Sequence, residues 1–458
     1  MVAAPFIVLI LYLLYLEYKK EKCEAEPVLT PIDLGFLLLV SFLWTFLSGN
    51  GGYSFQVSDF FGHNSKFYDL YTSGWPYYFS DVNRLVRYYF GYYLVPAYIF
   101  KLIGYISPPV LFIWTNIGFA LGLSWIYIMV FRNKILLILF LLLGGCGTIL
   151  FKISNRFIDF PPQLNTFHSN FGSLFDQSRW VANHVIPCII VSCIVIYDTV
   201  IQKKDKSFFP VSLTLVWAIF PFLILSMIYA FNRSFYERKI KLFRKDFFFD
   251  CILPVIALIP ALCYFGAGGN PPTSGFIWQF LDDKTYVYRY FTGIFLDTAV
   301  FYYIFIKLFK PTDAFSKIHI SILFLMFLCL STVILGKWND WLTKMNISFM
   351  IIFLIVTLRA GYLRWIDHEF KHFSKTFAIV VTIVLCLNLL TQSLILVQPI
   401  TENVLSSQIL KTKFTPMPYK KYANFYKTLI EYASEEEAIQ YMATPNSFYE
   451  RNLAKTKN

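Results

Sequence analysis

Residues 33–70 read DLGFLLLVSFLWTFLSGNGGYSFQVSDFFGHNSKFYDL, an apolar run of about one membrane span followed at once by polar chemistry. Beyond the run come Asp59, His63, Lys66 and Asp69, interleaved with aromatic residues. GNGG (49–52) lacks the Lys-Ser/Thr of a phosphate-binding loop and reads as the turn that ends the span. If 58–71 is helical, spacings of four and three place Asp59, His63 and Lys66 on one face. A carboxylate there can take a proton from an incoming hydroxyl or bind a divalent cation, and the two basic groups can stabilise a phosphate leaving group. A solvated interfacial helix with its charges facing water is the plainer reading of the same spacing.

The rest of the chain puts that stretch in a membrane setting. Of 458 residues, 57% are hydrophobic, 20% aromatic and 15% charged, with mean hydropathy +0.55, more apolar surface than a soluble protein can hide. The net charge of +12 invites a nucleic-acid partner, but Lys and Arg sit in short stretches between apolar runs: 19–22, 132–134, 203–206, 233–245 and 359–375. That is how a polytopic protein marks its cytoplasmic loops, so no nucleic acid is expected and membrane lipid is. The eight Cys lie in or beside apolar runs without metal-ligand spacing and read as packing residues. The run 3–17 is followed by YKKEK with no small-residue cleavage site and reads as a retained helix.

Apolar segments lie near 3–17, 33–48, 109–130, 135–151, 183–200, 247–264, 291–309, 318–336, 346–358 and 376–397. With 91–106 lying in the interface and 208–231 folding back as a hairpin near Pro221, every basic loop falls on one side. The expectation is an all-α polytopic membrane protein of about 10–13 transmembrane helices. It has a transmembrane domain over 1–397, a first outer loop over 49–108 with juxtamembrane helices, and a small extracytoplasmic, helical tail over 398–458. Helices are expected in the tail at 417–433 and around Glu435–Met442. Four polar regions then share the outer face: 49–90, 152–182, 266–289 and 336–346.

The second of these ends in DQSRWVANHVIP (176–187), with Trp180 at the interface and His184 about one turn inside the next span. The third ionisable cluster is GKWNDWLTKMNIS (336–348), where Asp340 and Lys344 are an i, i+4 pair and Asn339 a candidate cap. A helix-end cap with an ordinary surface pair accounts for it equally, as a structural histidine does for His184. Asp69 reads as structural, while Arg84 and Arg87 can pair with acids or lipid phosphate.

These clusters carry a resemblance. Asp59-Phe60-Phe61-Gly62-His63-Asn64, then Asp69-Leu70 and Trp75-Pro76, are similar to the pattern D-W-x-x-H-N-x-x-x-x-D-L…W-P. That pattern belongs to a poorly characterised bacterial branch of the GT-C superfamily of integral-membrane glycosyltransferases. Trp180-Val181-Ala182-Asn183-His184 resembles its W-x-P-x-H, and Asn339-Asp340-Trp341-Leu342-Thr343-Lys344 its N-D-x-x-x-R. Phe60 stands for the usual Trp, Ala182 for Pro and Lys344 for Arg, the last losing bidentate geometry. The resemblance implies a GT-C-like bundle in a bacterial cytoplasmic (inner) membrane, with its active site facing the periplasm. It implies inverting transfer of a sugar from a polyprenyl-phosphate-linked donor to an envelope glycan or lipid-linked acceptor. Asp59 carries over as general base, and His63, Lys66, Arg84, Arg87, His184, Asn339, Asp340 and Lys344 as candidate substrate- and phosphate-binding residues. Some relatives need a divalent metal, so Mg2+ or Mn2+ with Asp59 as ligand stays open. The alternatives are a transporter or flippase for a lipid-linked saccharide, an envelope polysaccharide polymerase or ligase, and last an acyltransferase. A transporter wants ionisable residues near the membrane midplane, whereas these cluster at one edge.

Overall fold

The computed structural model describes residues 3–21, 29–145, 172–202, 208–236, 247–268, 274–279, 294, 298–336, 339–402, 415–432 and 434–454. The expected basic run 203–206, most of 233–245, the loop 152–171 and most of 269–293 lie outside the described residues.

The described residues are mostly helical, with one short β-hairpin and one two-stranded pairing between distant segments. In chain order come α1 (Ala3–Glu21), α2 (Pro31–Leu47), α3 (Phe60–Thr72), α4 (Gly91–Ile103), α5 (Pro108–Met129) and α6 (Lys134–Leu142). Then follow α7 (Leu174–Ile196, running on as a π-turn to Ile201), α8 (Phe209–Trp217), α9 (Ile219–Tyr236), α10 (Leu253–Ala257) and α11 (Ile259–Gly266). Last come α12 (Val300–Leu308), α13 (Lys317–Leu330), α14 (Asp340–Ile366), α15 (Lys375–Ile400), α16 (Phe425–Tyr432), α17 (Glu435–Ile439) and α18 (Phe448–Asn452).

Among the described residues, five helices are long and apolar enough to cross a membrane: α5, α7 with its π-turn, α9, α14 and α15. A sixth appears if 248–257 and α11, bent by 49° at Leu258, count as one span. This makes a multi-pass membrane protein; parts of the expected runs 135–151 and 291–309 lie outside the described residues. Two of the expected runs form shorter apolar helices, α2 with 17 residues and α13 with 14. The end of the run 318–336 is not helix, because Val333–Leu335 pairs as a strand with Ser274–Phe276.

α14 is the buried axis, with nearly every side chain from Trp341 to Ala360 inside, as expected of a helix apolar all round. α7 packs beside it in the same direction, and α5 packs on α7. There Gly118 and Gly122 lie against Ile186 and Ile189, and a Cβ on either would come within 3.0 Å. This small-xxx-small spacing lets the two backbones approach. The segment 208–231 does fold back, breaking at Ala218, three residues before Pro221. Phe208, just ahead of α8, packs at a tilt against Phe222 and Tyr229 of α9.

α4 is a 13-residue helix on the flank of α3, too short to span. Its outward side chains Val95, Tyr98 and Leu102 are apolar and exposed, as the interfacial reading requires. Pro96 leaves the Tyr92 carbonyl without its helical donor, and the Trp114 indole N–H fills the vacancy at 3.0 Å.

The described parts of the polar regions, 49–90, 172–182, 266–279 and 331–346, meet at one end of the bundle. At the other end lie the basic groups: Arg359 pairs with Asp313 at 2.8 Å and donates to the Met129 carbonyl, and Lys310 and Arg364 pair with Glu369. The tail is no separate appendage. α16 and α17 fall where helices were expected, and the chain around them is stitched into the first loop. Met442 bridges to Val86, Ala443 to Gly268, and Asn64 donates to the Met417 carbonyl at 2.8 Å.

Candidate functional site

Asp59 opens α3 at its N-cap position without a capping hydrogen bond, and His63 and Lys66 follow one and two turns on along the same face. Helix α14 brings Asp340 and Lys344 to them, and α7 brings Trp180 and His184. Lys66 and Lys344 both act electrostatically on Asp59, and Lys344, Lys66 and His63 all act on His184. Three clusters separated by more than a hundred residues each thus form one constellation.

Two tyrosines link the lysines. Lys66 Nζ donates to the Tyr88 hydroxyl at 2.9 Å, and Lys344 Nζ to the Tyr89 hydroxyl at 3.1 Å. The rings of Tyr88 and Tyr89 lie 4.0 Å apart, and their hydroxyls interact. Lys344 also pairs with Asp340 at 2.9 Å, the i, i+4 contact expected from the sequence. The centre therefore holds two carboxylates and two ammonium groups among aromatic rings.

Asp59 is exposed at its surface, yet much of what surrounds it is protein rather than water. The loss of bulk water outweighs the attraction of the two lysines and pushes its carboxyl up to about 6. A carboxylate tuned there is suited to accept a proton near neutral pH. Lys66 is 5% exposed; burial first, then the Lys344 charge, push its ammonium down to about 7 against the pull of Asp59.

His63 does not serve as a phosphate ligand. Its Nδ1 meets the Tyr93 hydroxyl at 2.6 Å and its Nε2 the Trp180 carbonyl at 2.7 Å, so both ring nitrogens are engaged. Burial and the charge of Lys66 push it down to about 3, so the ring is neutral. Nε2–H then donates to the carbonyl, and the Tyr93 hydroxyl donates to Nδ1. The acceptor exists because Val181 leaves helical geometry (φ −142°, ψ 54°), which frees the Trp180 carbonyl inside α7. His63 is a strut between α3 and α7.

His184 is fully buried in the third turn of α7, deeper than the single turn expected, because the helix begins at Leu174. It meets Tyr89 edge-on at 4.7 Å, and neither ring nitrogen has a hydrogen-bond partner among the described residues. Asn339 sits in the left-handed region (φ 46°) ahead of α14, its buried Oδ1 likewise unpartnered and making no cap.

Arg84 and Arg87 have backbone partners in place of acids. Arg84 donates to the Ala443 carbonyl through Nε at 2.9 Å, and Arg87 to the carbonyls of Phe265 and Gln440, both at 2.6 Å. Their guanidiniums tie the first loop to the tail, and that of Arg87 also to α11. Asp69 is structural as expected: buried, it accepts from the Tyr77 hydroxyl at 2.6 Å and the Phe425 backbone N–H at 2.7 Å.

The donor set does not fit Mg2+ or Mn2+. Asp340 is engaged by Lys344, Asp59 lies in the field of both ammoniums, and a divalent cation would meet those two positive charges at close quarters. Among the described residues no three His, Cys, Asp or Glu side chains gather.

Beside the site runs an apolar groove of about 260 Å3, lined by Trp75, Phe90, Leu94, Val216, Pro260 and Tyr264, with Tyr88 in its wall. Sequence reading missed Tyr88, Tyr89 and Tyr93 as site members. Their signal is RYYFGYY (87–93), two tyrosine pairs four residues apart, which an aromatic-rich interface disguises. Compared with known proteins, the chain matches no family model, no curated protein and no solved structure.

Proposed function

We propose that this chain is a GT-C-type membrane glycosyltransferase that moves a sugar from a polyprenyl-phosphate donor to an envelope glycan or lipid-linked acceptor. It works at the periplasmic face of a bacterial cytoplasmic membrane. The observation that carries the reading is the meeting of Asp59 with Lys66, Lys344 and Asp340 at the end of the bundle, beside an apolar groove that shares Tyr88. Asp59 takes the proton from the acceptor hydroxyl as that oxygen attacks the anomeric carbon. The bond from that carbon to the phosphate oxygen breaks on the opposite face, with inversion. The polyprenyl phosphate leaves into the field of Lys66 and Lys344, its chain in the groove. His184, fully buried against the Tyr89 ring, backs the site from within α7.

A flippase is the second reading, favoured by buried unpartnered polar atoms of Asn183, Ser192, Asn346 and Ser348 within α7 and α14. The charges weigh against it. Between Lys344 and Arg359 α14 carries no charged residue, and between His184 and Asp198 α7 carries none either, so the middle of both spans is uncharged.

The test is turnover of a panel of polyprenyl-phosphate sugars by purified protein and Asp59→Asn. We expect the variant to lose about 10²–10⁴-fold in rate, with retained turnover sinking the base assignment. Transbilayer movement of lipid-linked saccharide without any transfer would favour the flippase.

A further inference from the structure

The Lys66 amine is walled by three parts of the chain. The rings of Tyr88 from the first loop, Tyr93 from α4 and Phe425 from the tail stand 4.2, 5.0 and 4.9 Å from Nζ. Charged and titratable groups facing it are Asp59 and His63 from α3, Asp340 and Lys344 from α14, His184 from α7 and the Tyr88 hydroxyl. Phe425 is 2% exposed and lies more than 350 residues from Lys66 in sequence. It is set in place by Asp69, which holds its backbone N–H at 2.7 Å, and by the rings of Tyr88 at 5.6 Å and Tyr441 at 6.1 Å. Asp69 lies on α3 one turn beyond Lys66. The helix that carries the amine therefore also fixes the ring that covers it.

We propose that Phe425 is a positioning residue of the site: the C-terminal tail closes an aromatic cage on Lys66, so that an entering phosphate brings a proton onto the amine. Aromatic faces favour the ammonium modestly, and loss of water disfavours it more. Opposed in this way, the amine is poised between its two forms near neutral pH. A phosphate supplies the missing counter-charge, and one proton is taken up as it binds. Without Phe425 water reaches Nζ, the amine stays charged at neutral pH, and binding carries no proton with it. The phosphate half rests on the function proposed above; the cage half does not.

The experiment uses the full chain in detergent micelles. Lys66 is carbamoylated with cyanate, whose carbon only the uncharged amine attacks, across about pH 5.5 to about pH 10.5, and the modified peptide is quantified by mass spectrometry. The wild-type midpoint is expected at about 7. Phe425→Ala should raise it by at least about one unit, and Phe425→Trp, which keeps a ring, should hold it near the wild-type value. An unmoved midpoint in Phe425→Ala overturns the cage, as does a shift of equal size in Phe425→Trp. Titration calorimetry with dodecyl phosphate, in buffers of different ionisation enthalpy, then counts protons. Uptake at pH 7 in the wild type that vanishes in Phe425→Ala supports the coupling. A moved midpoint with no uptake overturns the phosphate half and leaves the cage standing.

Discussion

Replacing Lys66 with Met should make the protein more stable while abolishing its function. Met keeps the apolar stem that lies among Tyr88, Tyr93 and Phe425 and removes the buried charge. Depression of the ammonium from 10.5 to about 7 is roughly 3.5 pH units, or about 5 kcal/mol at 1.36 kcal/mol per unit. Against this stand three lost cation–π contacts at about 0.5–1 kcal/mol each and the hydrogen bond to Tyr88 at about 1 kcal/mol. The remainder is about 1–2 kcal/mol in favour of Lys66→Met, inside the range seen when buried charges give way to apolar residues. The sign with pH follows from proton counting. Below about pH 7 the amine is charged in folded and unfolded chains alike, and the native protein carries the full burial cost. Between about 7 and 10.5 the unfolded chain holds a proton that the folded one does not, so native stability climbs with pH and the variant's advantage is lost and then reversed. Thermal unfolding in micelles, followed by intrinsic fluorescence, should show Tm raised by about 1–2 °C at pH 6 and lowered below that of the wild type at pH 10. A variant less stable than the wild type at pH 6, or a gain equal at both pH values, would refute the reasoning.

Two further predictions concern the frame that holds the site. Arg359→Ala should cost about 3–5 kcal/mol, because it strands the Asp313 carboxylate, whose side chain is 2% exposed, without its partner; thermal unfolding measures the loss, and Arg359→Lys should recover part of it. Gly91→Ala should cost about 1–3 kcal/mol, since its Cβ would lie 2.6 Å from the Trp217 ring and 2.9 Å from the Val216 carbonyl oxygen. Gly62→Ala is its control: with nothing within 4 Å of the new Cβ and a helical position in α3, it should stabilise by about 0.5–1 kcal/mol.

The sequence was most legible where one physical requirement dominates. Length and apolarity alone mark α5 and α15, and basic residues mark the end of the bundle where Arg359, Arg364 and Lys310 lie. It misled where polar groups are paired inside. The run 346–358 was bounded by its nearest charges, yet α14 extends from Asp340 to Ile366, because Lys344 is neutralised by Asp340 and Arg359 by Asp313. Asn183 and His184 similarly placed the start of α7 nine residues too late, since hydropathy cannot tell a buried, shielded His184 from one at a wet edge. The strand Val333–Leu335 is as apolar as the helix before it and declares itself only by pairing with Ser274–Phe276.

Within the site, spacing along one helix was a sound guide, and chemical type by itself was not. Asp59, His63 and Lys66 share a face as i, i+4 and i+7 demand, but the use of each side chain is set by what other elements bring. His63 is occupied because a single residue, Val181, leaves helical geometry and exposes a carbonyl. Arg84 and Arg87 are occupied because the tail returns to offer two carbonyls and α11 a third, and no local pattern announces that return. The same return delivers Phe425 to Lys66. An exposed lysine on an interfacial helix would be one more charge among many. Enclosed by Tyr88, Tyr93 and Phe425, it becomes a group whose charge responds to its neighbours, so the chemistry of the first loop depends on the last forty residues of the chain.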